Sequence, residues 1–173
     1  MTKGERLLFT SLAEGALILV VAAIGWVTRM PLIFTSLGPT AYELVEKPSS
    51  PSARSYNIIA GHFVALGAGF LSLWLLDAWN SPGVASSGFV SSPRLWAAVL
   101  SVVITTAVTL ALKASQPASL STTLLVSLGS MQTRRDAGAI AIAVLILAAV
   151  GEPLRRFFEN TRVSVQGSHE KAS

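Results

Sequence analysis

Long apolar stretches alternate with short polar ones along this chain. Four stretches are long, at 7–27, 57–78, 95–112 and 137–150. About 20 apolar residues carry a helix across a bilayer core, so each predicts a membrane-crossing helix. The fourth is short and is expected to continue through 154–158 at the interface. Lys3 and Arg6 precede the first stretch in the manner of a secretory signal. That stretch is long for a signal core, lacks a small-x-small cleavage site and contains Glu14, so it reads as a retained first span.

Two shorter apolar segments, 31–45 and 117–131, remain. Each begins with proline, which fits a first helical turn because its missing N–H is not needed there. Each contains the same tripeptide, Ser36-Leu37-Gly38 in one and Ser127-Leu128-Gly129 in the other. Each follows a long span and a basic residue, Arg29 or Lys113. The order is span, short segment, span, twice over. This predicts an all-α polytopic membrane helix bundle over residues 1–160, with four long spans, two short membrane helices and an inverted two-fold repeat. The loops at 47–55 and 80–94 are rich in Ser and Pro. Residues 161–173 read as a disordered cytoplasmic tail.

Charge bears on how the short segments run, because Lys and Arg favour cytoplasmic loops. If the short segments re-enter, the N-terminal side holds Lys3, Arg6, Arg94, Arg155, Arg156, Arg162 and Lys171, hardly more than half of the 13 cations. If they cross, it holds Lys3, Arg6, Lys47, Arg54, Lys113, Arg155, Arg156, Arg162 and Lys171. Only Arg29, Arg94, Arg134 and Arg135 then lie opposite. Six crossings are therefore expected, with both termini cytoplasmic and the chain in the cell inner membrane. Each short segment is about 22 Å long as a helix, less than a hydrocarbon core of about 30 Å. The two are expected to meet near the bilayer midplane, with Gly38 and Gly129 at the crossing.

Composition agrees with a lipid-embedded chain. Charged residues make up 13% and hydrophobic ones 51%, against roughly 25% charged in soluble domains. Mean hydropathy is +0.60. The absence of cysteine excludes disulfides and thiolate metal sites. The net charge of +4 reads as basic loops, and no aromatic-and-basic run suggests nucleic acid.

The short segments carry the candidate chemistry. Helix N-termini bind anions through unpaired N–H groups and the helix dipole. Pro117, Ser119, Ser121 and Thr122 cluster at one such terminus just after Lys113, with Ser127 and Gly129 further on. Ser36, Gly38 and Thr40 lie in the other segment. Asn57 and His62 sit at the start of a span, where ionisable groups are costly and often functional; His62 could share a proton with a substrate or sense pH. These residues form the candidate substrate pathway. Small hydroxyl residues also let membrane helices pack closely, which is the alternative role for all of them. Gly61, Ala65 and Gly69 recur every four residues and form a packing face, with a homo-oligomer as one use for it. Glu14 is either a buried proton carrier or an interfacial group, and Asp77 is expected to be solvated. With no metal-ligand spacing, no Gly-x-Ser-x-Gly and no phosphate loop, no enzyme activity, metal or cofactor is expected.

The stretch from Pro31 to Leu66 resembles the HPP family of integral membrane proteins. The resemblance rests on Ser36-Leu37-Gly38-Pro39-Thr40-Ala41, the Ser50-Pro51-Ser52-Ala53 loop, and Asn57-Ile58-Ile59-Ala60-Gly61-His62. It extends in arrangement from about Phe9 to Phe158. The second half departs from it: where the family carries His-Pro-Pro, this chain has Ser115-Gln116-Pro117. The resemblance implies four spanning helices and a transporter of a small anion, nitrite in plastid and cyanobacterial members. The departure puts any function of that histidine in doubt here. The alternative is a non-transporting membrane scaffold that binds a partner protein.

Overall fold

A computed structural model describes residues 3–170. Its helices are α1 (Lys3–Thr28), α2 (Leu37–Glu46), α3 (Ser55–Leu75), α4 (Val84–Ser87), α5 (Ser92–Ala111), α6 (Ser119–Ser127) and α7 (Arg134–Glu170), with a 3-10 turn at Pro51–Ala53. The four long apolar helices are α1, α3, α5 and the first part of α7. The two short membrane helices are α2 and α6. The tail expected to be disordered overlaps the end of α7, and its residues 171–173 lie outside the described residues.

Three long helices end in the same way. After α1, the Met30 N–H bonds the Gly25 carbonyl at 3.0 Å and the Arg29 N–H bonds that of Trp26 at 3.4 Å. The pair repeats at Ala78 and Asp77 after α3, and at Ala114 and Lys113 after α5. These are Schellman caps, which need a left-handed residue at the turn and usually place glycine there. Here Arg29, Asp77 and Lys113 take it, at φ 53°, 48° and 51°. A side chain in that conformation costs about 1 kcal/mol. It also places a charge at the water-facing end of each span.

The caps explain why Pro31 opens no helix. The chain leaves Arg29 turned away from α1 and runs without helix to Phe34, turning at Pro31, where the Leu32 N–H bonds the Met30 carbonyl at 2.8 Å; Leu32 and Phe34 are buried and Ile33 and Thr35 exposed. Non-helical chain is tolerated at membrane depth because it lies against protein. The prolines that do sit in first turns are Pro39 of α2 and Pro93 of α5. The repeated tripeptide is likewise not an equivalent pair. Ser36-Leu37-Gly38 begins α2, whereas Ser127-Leu128-Gly129 ends α6.

Side-chain bonds fix the direction of every segment. The Arg135 guanidinium donates to the Arg29 carbonyl at 2.7 Å, joining the end of α1 to the start of α7. Phe9 stacks with Phe157 and Phe158, joining the other ends of the same helices. Ser55 donates to Glu152 and Arg155 to the Pro48 carbonyl, so α3 begins beside the late part of α7. Tyr56 donates to the Leu112 carbonyl and Asn57 to that of Ser115, so α5 ends there too. We call this the terminal side. On the far side, Arg94 at the start of α5 donates to the Ser127 carbonyl at the end of α6. Each short segment therefore runs from one end of the bundle to the other, as each long helix does. All four tryptophans, Trp26, Trp74, Trp79 and Trp96, lie exposed toward the far side, as in an aromatic interface belt.

The packing has an inverted two-fold pattern. α1 packs on α2 as α5 packs on α6; α7 packs on α1 and α2 as α3 packs on α5 and α6. Each half thus lends its last helix to the other half. Lipid supplies little drive for helices to associate, so close approach depends on small residues. A side chain on Gly69 would meet Val126 Cβ at 2.8 Å, and one on Gly61 would meet Gln116 Cβ at 2.7 Å. Ala65 between them is fully buried. On the other side of the bundle, Leu44 of α2 fills the space left by Gly151 of α7.

Candidate functional site

Thr40 is the fourth residue of α2 and Thr122 the fourth of α6. Both are fully buried, and His62 of α3 lies between them, 1% exposed. His62 Nε2 is 3.1 Å from Thr40 Oγ1, and Nδ1 is 2.8 Å from Thr122 Oγ1. Ser36 Oγ is 2.8 Å from Thr122 Oγ1, a direct bond between the two short segments. Thr40 Oγ1 donates to the Ser36 carbonyl at 2.8 Å.

Counting protons assigns every donor. Each hydroxyl has one proton and a neutral imidazole has one N–H. Thr40 gives its proton to the Ser36 carbonyl, so it must accept from His62 Nε2–H. Nδ1 is then an acceptor, and Thr122 donates to it. Thr122 has no proton left, so Ser36 donates to Thr122. The bonds run from the Ser36 hydroxyl through Thr122, His62 and Thr40 back to the Ser36 carbonyl. The circuit closes on one residue, with the N–H of the neutral imidazole at Nε2.

His62 is the eighth residue of α3, about 10 Å from its terminal-side end at 1.5 Å per residue. A helix of 21 residues is about 31 Å long. The short segments therefore meet about a third of the way along α3 from the terminal side. The cluster is closed to both sides. The open grooves along α1, α3 and α7 have other linings.

Of the expected pathway residues, Ser36, Thr40, His62 and Thr122 come together. Asn57 and Ser119 instead pin the terminal-side connection around Gln116. Asn57 bonds the Ser115 carbonyl and Ser119 bonds that of Gln116. Pro117 is exposed and Ser121 half-buried beyond it. The anion-binding terminus expected at α6 is already filled. The N–H groups of Ala118, Ser119, Leu120 and Ser121 bond Gln116 Oε1 and the carbonyls of Gln116, Pro117 and Ala118. Gly38 is not at a crossing, since a Cβ there would meet nothing within 4 Å. Gly129 is tightly packed, but against Gly83 and the Arg94 guanidinium, at φ 81°. Ser127 lies beside it at the far-side end of α6.

Two residues with no assigned part in the sequence reading stand out. Arg94 is fully buried. It donates to the carbonyls of Ser127 (3.1 Å) and Ser81 (2.7 Å) and to Gln132 Oε1 (2.6 Å). All its partners are uncharged oxygens, and Nε has none. Glu43 is half-buried, with Oε2 enclosed and unpartnered. It continues the stripe of Ser36 and Thr40 at helical spacing, a signal the sequence does carry. Ser72, Thr105 and Thr123, on the tightly packed α3, α5 and α6, also keep buried hydroxyls without partners. Among the described residues, no three His, Asp or Glu side chains are grouped to hold a metal.

A family model described as HPP, transmembrane region, matches residues 2–160. No curated protein and no solved structure matches the chain. Ser115, at the place of the family histidine, is exposed on the terminal side, and the His62 cluster is complete without it.

Proposed function

The chain belongs to the HPP family of integral membrane proteins, and from that premise we propose that it transports a small anion of the nitrite class, with the Ser36–Thr40–His62–Thr122 cluster as its binding site. The observation that carries the proposal is the closed hydroxyl–imidazole circuit where, among the described residues, the short segments of the two inverted halves bond to each other. Inverted-repeat transporters bind substrate between their halves and rock around that point. A dehydrated anion needs donors in place of water. Rotating the hydroxyls of Ser36, Thr40 and Thr122 supplies them without moving backbone. Ser72, Thr105 and Thr123 are spare donors in the same packed helices. The fixed positive charge of Arg94, with no carboxylate partner, favours anions over cations on the far side. In this reading the closed cluster is the occluded state between two open ones.

The terminal side is proposed to be cytoplasmic in a cell inner membrane. Lys3, Lys47, Arg54, Lys113, Arg155 and Arg156 lie on it, against Arg29, Arg94, Arg134 and Arg135 opposite, the bias expected of cytoplasmic loops. Purified protein in liposomes tests the transport reading by uptake of nitrite, nitrate and formate. Uptake of at least one above protein-free liposomes is expected. No uptake of any would overturn the reading.

A further inference from the structure

We propose that anion movement is coupled to protons, with Glu43 and His62 as the proton-carrying groups on the path between the terminal side and the cluster. This rests on the transport reading and names its coupling ion. Three observations carry it.

The first is the placement of Glu43. Ser36, Thr40 and Glu43 share one face of α2, so the carboxylate stands one turn beyond Thr40 toward the terminal side. Its Oε2 is enclosed by protein and bonded to nothing. An anion leaving the cluster toward the terminal side passes this carboxylate. Ionised, Glu43 repels it; with a proton on it, Glu43 does not. A proton and an anion moving together meet no such repulsion.

The second is the direction of the bonds around His62. The circuit runs in one direction with an imidazole that carries one N–H. A second proton on Nδ1 turns Thr122 from donor to acceptor. The Thr122 hydroxyl proton then turns to Ser36 Oγ, so the bond between them reverses and the Ser36 hydroxyl proton is released from the circuit. Ser36–Thr122 is the bond between the two halves, so protonation of His62 acts on the contact that a rocking motion must break. It also places a positive charge where the anion binds.

The third is the electrostatic isolation of the pair. The groups bonded to His62 are neutral hydroxyls. Of the helices packed on α3, α6 has no charged residue. α5 carries only Arg94, at the far side. α7 carries Arg134, Arg135 and Asp136 at its start, Glu152, Arg155, Arg156 and Glu159 past its middle, where Glu152 and Arg155 are paired, and Arg162, His169 and Glu170 beyond them. Facing α2, α1 offers half-buried Glu14 on the side that bears buried Leu17 and Val21. α2 itself adds Glu46. Among the described residues no cation is bonded to Glu43 or His62, so a proton can settle on either without displacing an ion pair.

The test uses the full chain in liposomes loaded with a pH-sensitive dye, under an inward nitrate gradient with nitrite in parallel. Nitrate forms no neutral acid at neutral pH, so acidification cannot come from leak of the acid. Wild type is expected to acidify the lumen as nitrate or nitrite enters. Glu43→Gln is expected to lose acidification while keeping exchange of labelled anion, and Glu43→Asp to retain both. Size-exclusion profile and melting temperature establish that each variant is folded. Anion entry without acidification in wild type overturns the coupling, full acidification by Glu43→Gln overturns the part given to Glu43, and either leaves the transport reading standing. Absence of anion movement in wild type overturns both.

Discussion

Thr40 and Thr122 hold the same position in the two short helices and bond opposite nitrogens of one imidazole. The inverted repeat thus brings two copies of one hydroxyl to a single histidine that only the first half supplies. Their loads differ. Thr122 serves both His62 and Ser36, whereas Thr40 serves His62 and the carbonyl of its own helix. Thr122→Val leaves two buried groups unpaired, at about 1–3 kcal/mol each. Thr40→Val leaves one side-chain group unpaired and should cost less. Thr123→Val, one residue along, removes a hydroxyl with no partner and should be neutral or stabilising. Thermal unfolding in detergent gives the order. Equal losses at Thr122 and Thr123 would show that the circuit contributes nothing.

Glycine on α3 separates packing from mere absence of a side chain. Gly69→Ala drives a methyl into Val126 and toward the Thr123 carbonyl, at 2.8 and 3.3 Å. Overpacking of this kind costs about 1–3 kcal/mol. Gly67→Ala, on the exposed face with nothing within 4 Å, should gain up to about 1 kcal/mol from helix propensity. The two melting temperatures should move in opposite directions. A drop for both would mean that the α3–α6 contact is not what the glycine serves.

Arg94 makes its three bonds from two nitrogens of a planar fork. Lysine has one nitrogen and cannot reach Ser127, Ser81 and Gln132 together. Arg94→Lys keeps the charge but leaves at least one buried carbonyl without a donor, so a loss of about 1–3 kcal/mol is expected. Because Ser81 lies in the α3–α5 loop, limited proteolysis of that loop should speed up as well. Unchanged proteolysis with lowered stability would place the loss in α6 alone.

Much of this architecture is written in the apolar pattern. Four long spans, two short helices and the crossing direction follow from stretch length and the distribution of Lys and Arg. Helix starts within the short segments are not legible there, because Schellman caps at Arg29 and Lys113 carry no glycine to announce them. Proline misleads for the same reason: Pro31 follows a cap, while Pro39 and Pro93 sit in real first turns. The identity of Ser36, Thr40, His62 and Thr122 as candidates comes from residue type alone. That they form one circuit depends on how α2 and α6 are turned about their axes, which tertiary packing decides. Ser-Leu-Gly looked like a repeat marker, yet the true equivalence pairs Thr40 with Thr122. Arg94 reads as an ordinary interfacial charge, since nothing near it in sequence tells that loop 76–91 folds over it.

The crossing arrangement makes the sharpest prediction about the chain in a membrane. α1 ends at Arg29 beside Arg135, and α3 begins at Ser55 beside Glu152. Arg135 and Glu152 lie about 26 Å apart along α7 at about 1.5 Å per residue, within its 27-residue stretch that is long enough to span a bilayer. The chain between Arg29 and Ser55 must therefore pass from one side to the other, although α2 supplies only 10 helical residues of the path. The non-helical run from Met30 to Phe34 supplies the rest. By the inverted argument, Ser49 and Ser130 face opposite compartments. Both are exposed, and the chain has no native cysteine to confuse labelling. Ser49→Cys and Ser130→Cys proteins in right-side-out and inverted membrane vesicles should react with a membrane-impermeant maleimide in complementary fashion. Ser49→Cys should label only when the terminal side faces out, and Ser130→Cys only when it faces in. Labelling of both in the same vesicle orientation would mean that the short segments re-enter, and the inverted repeat would fall with the crossings.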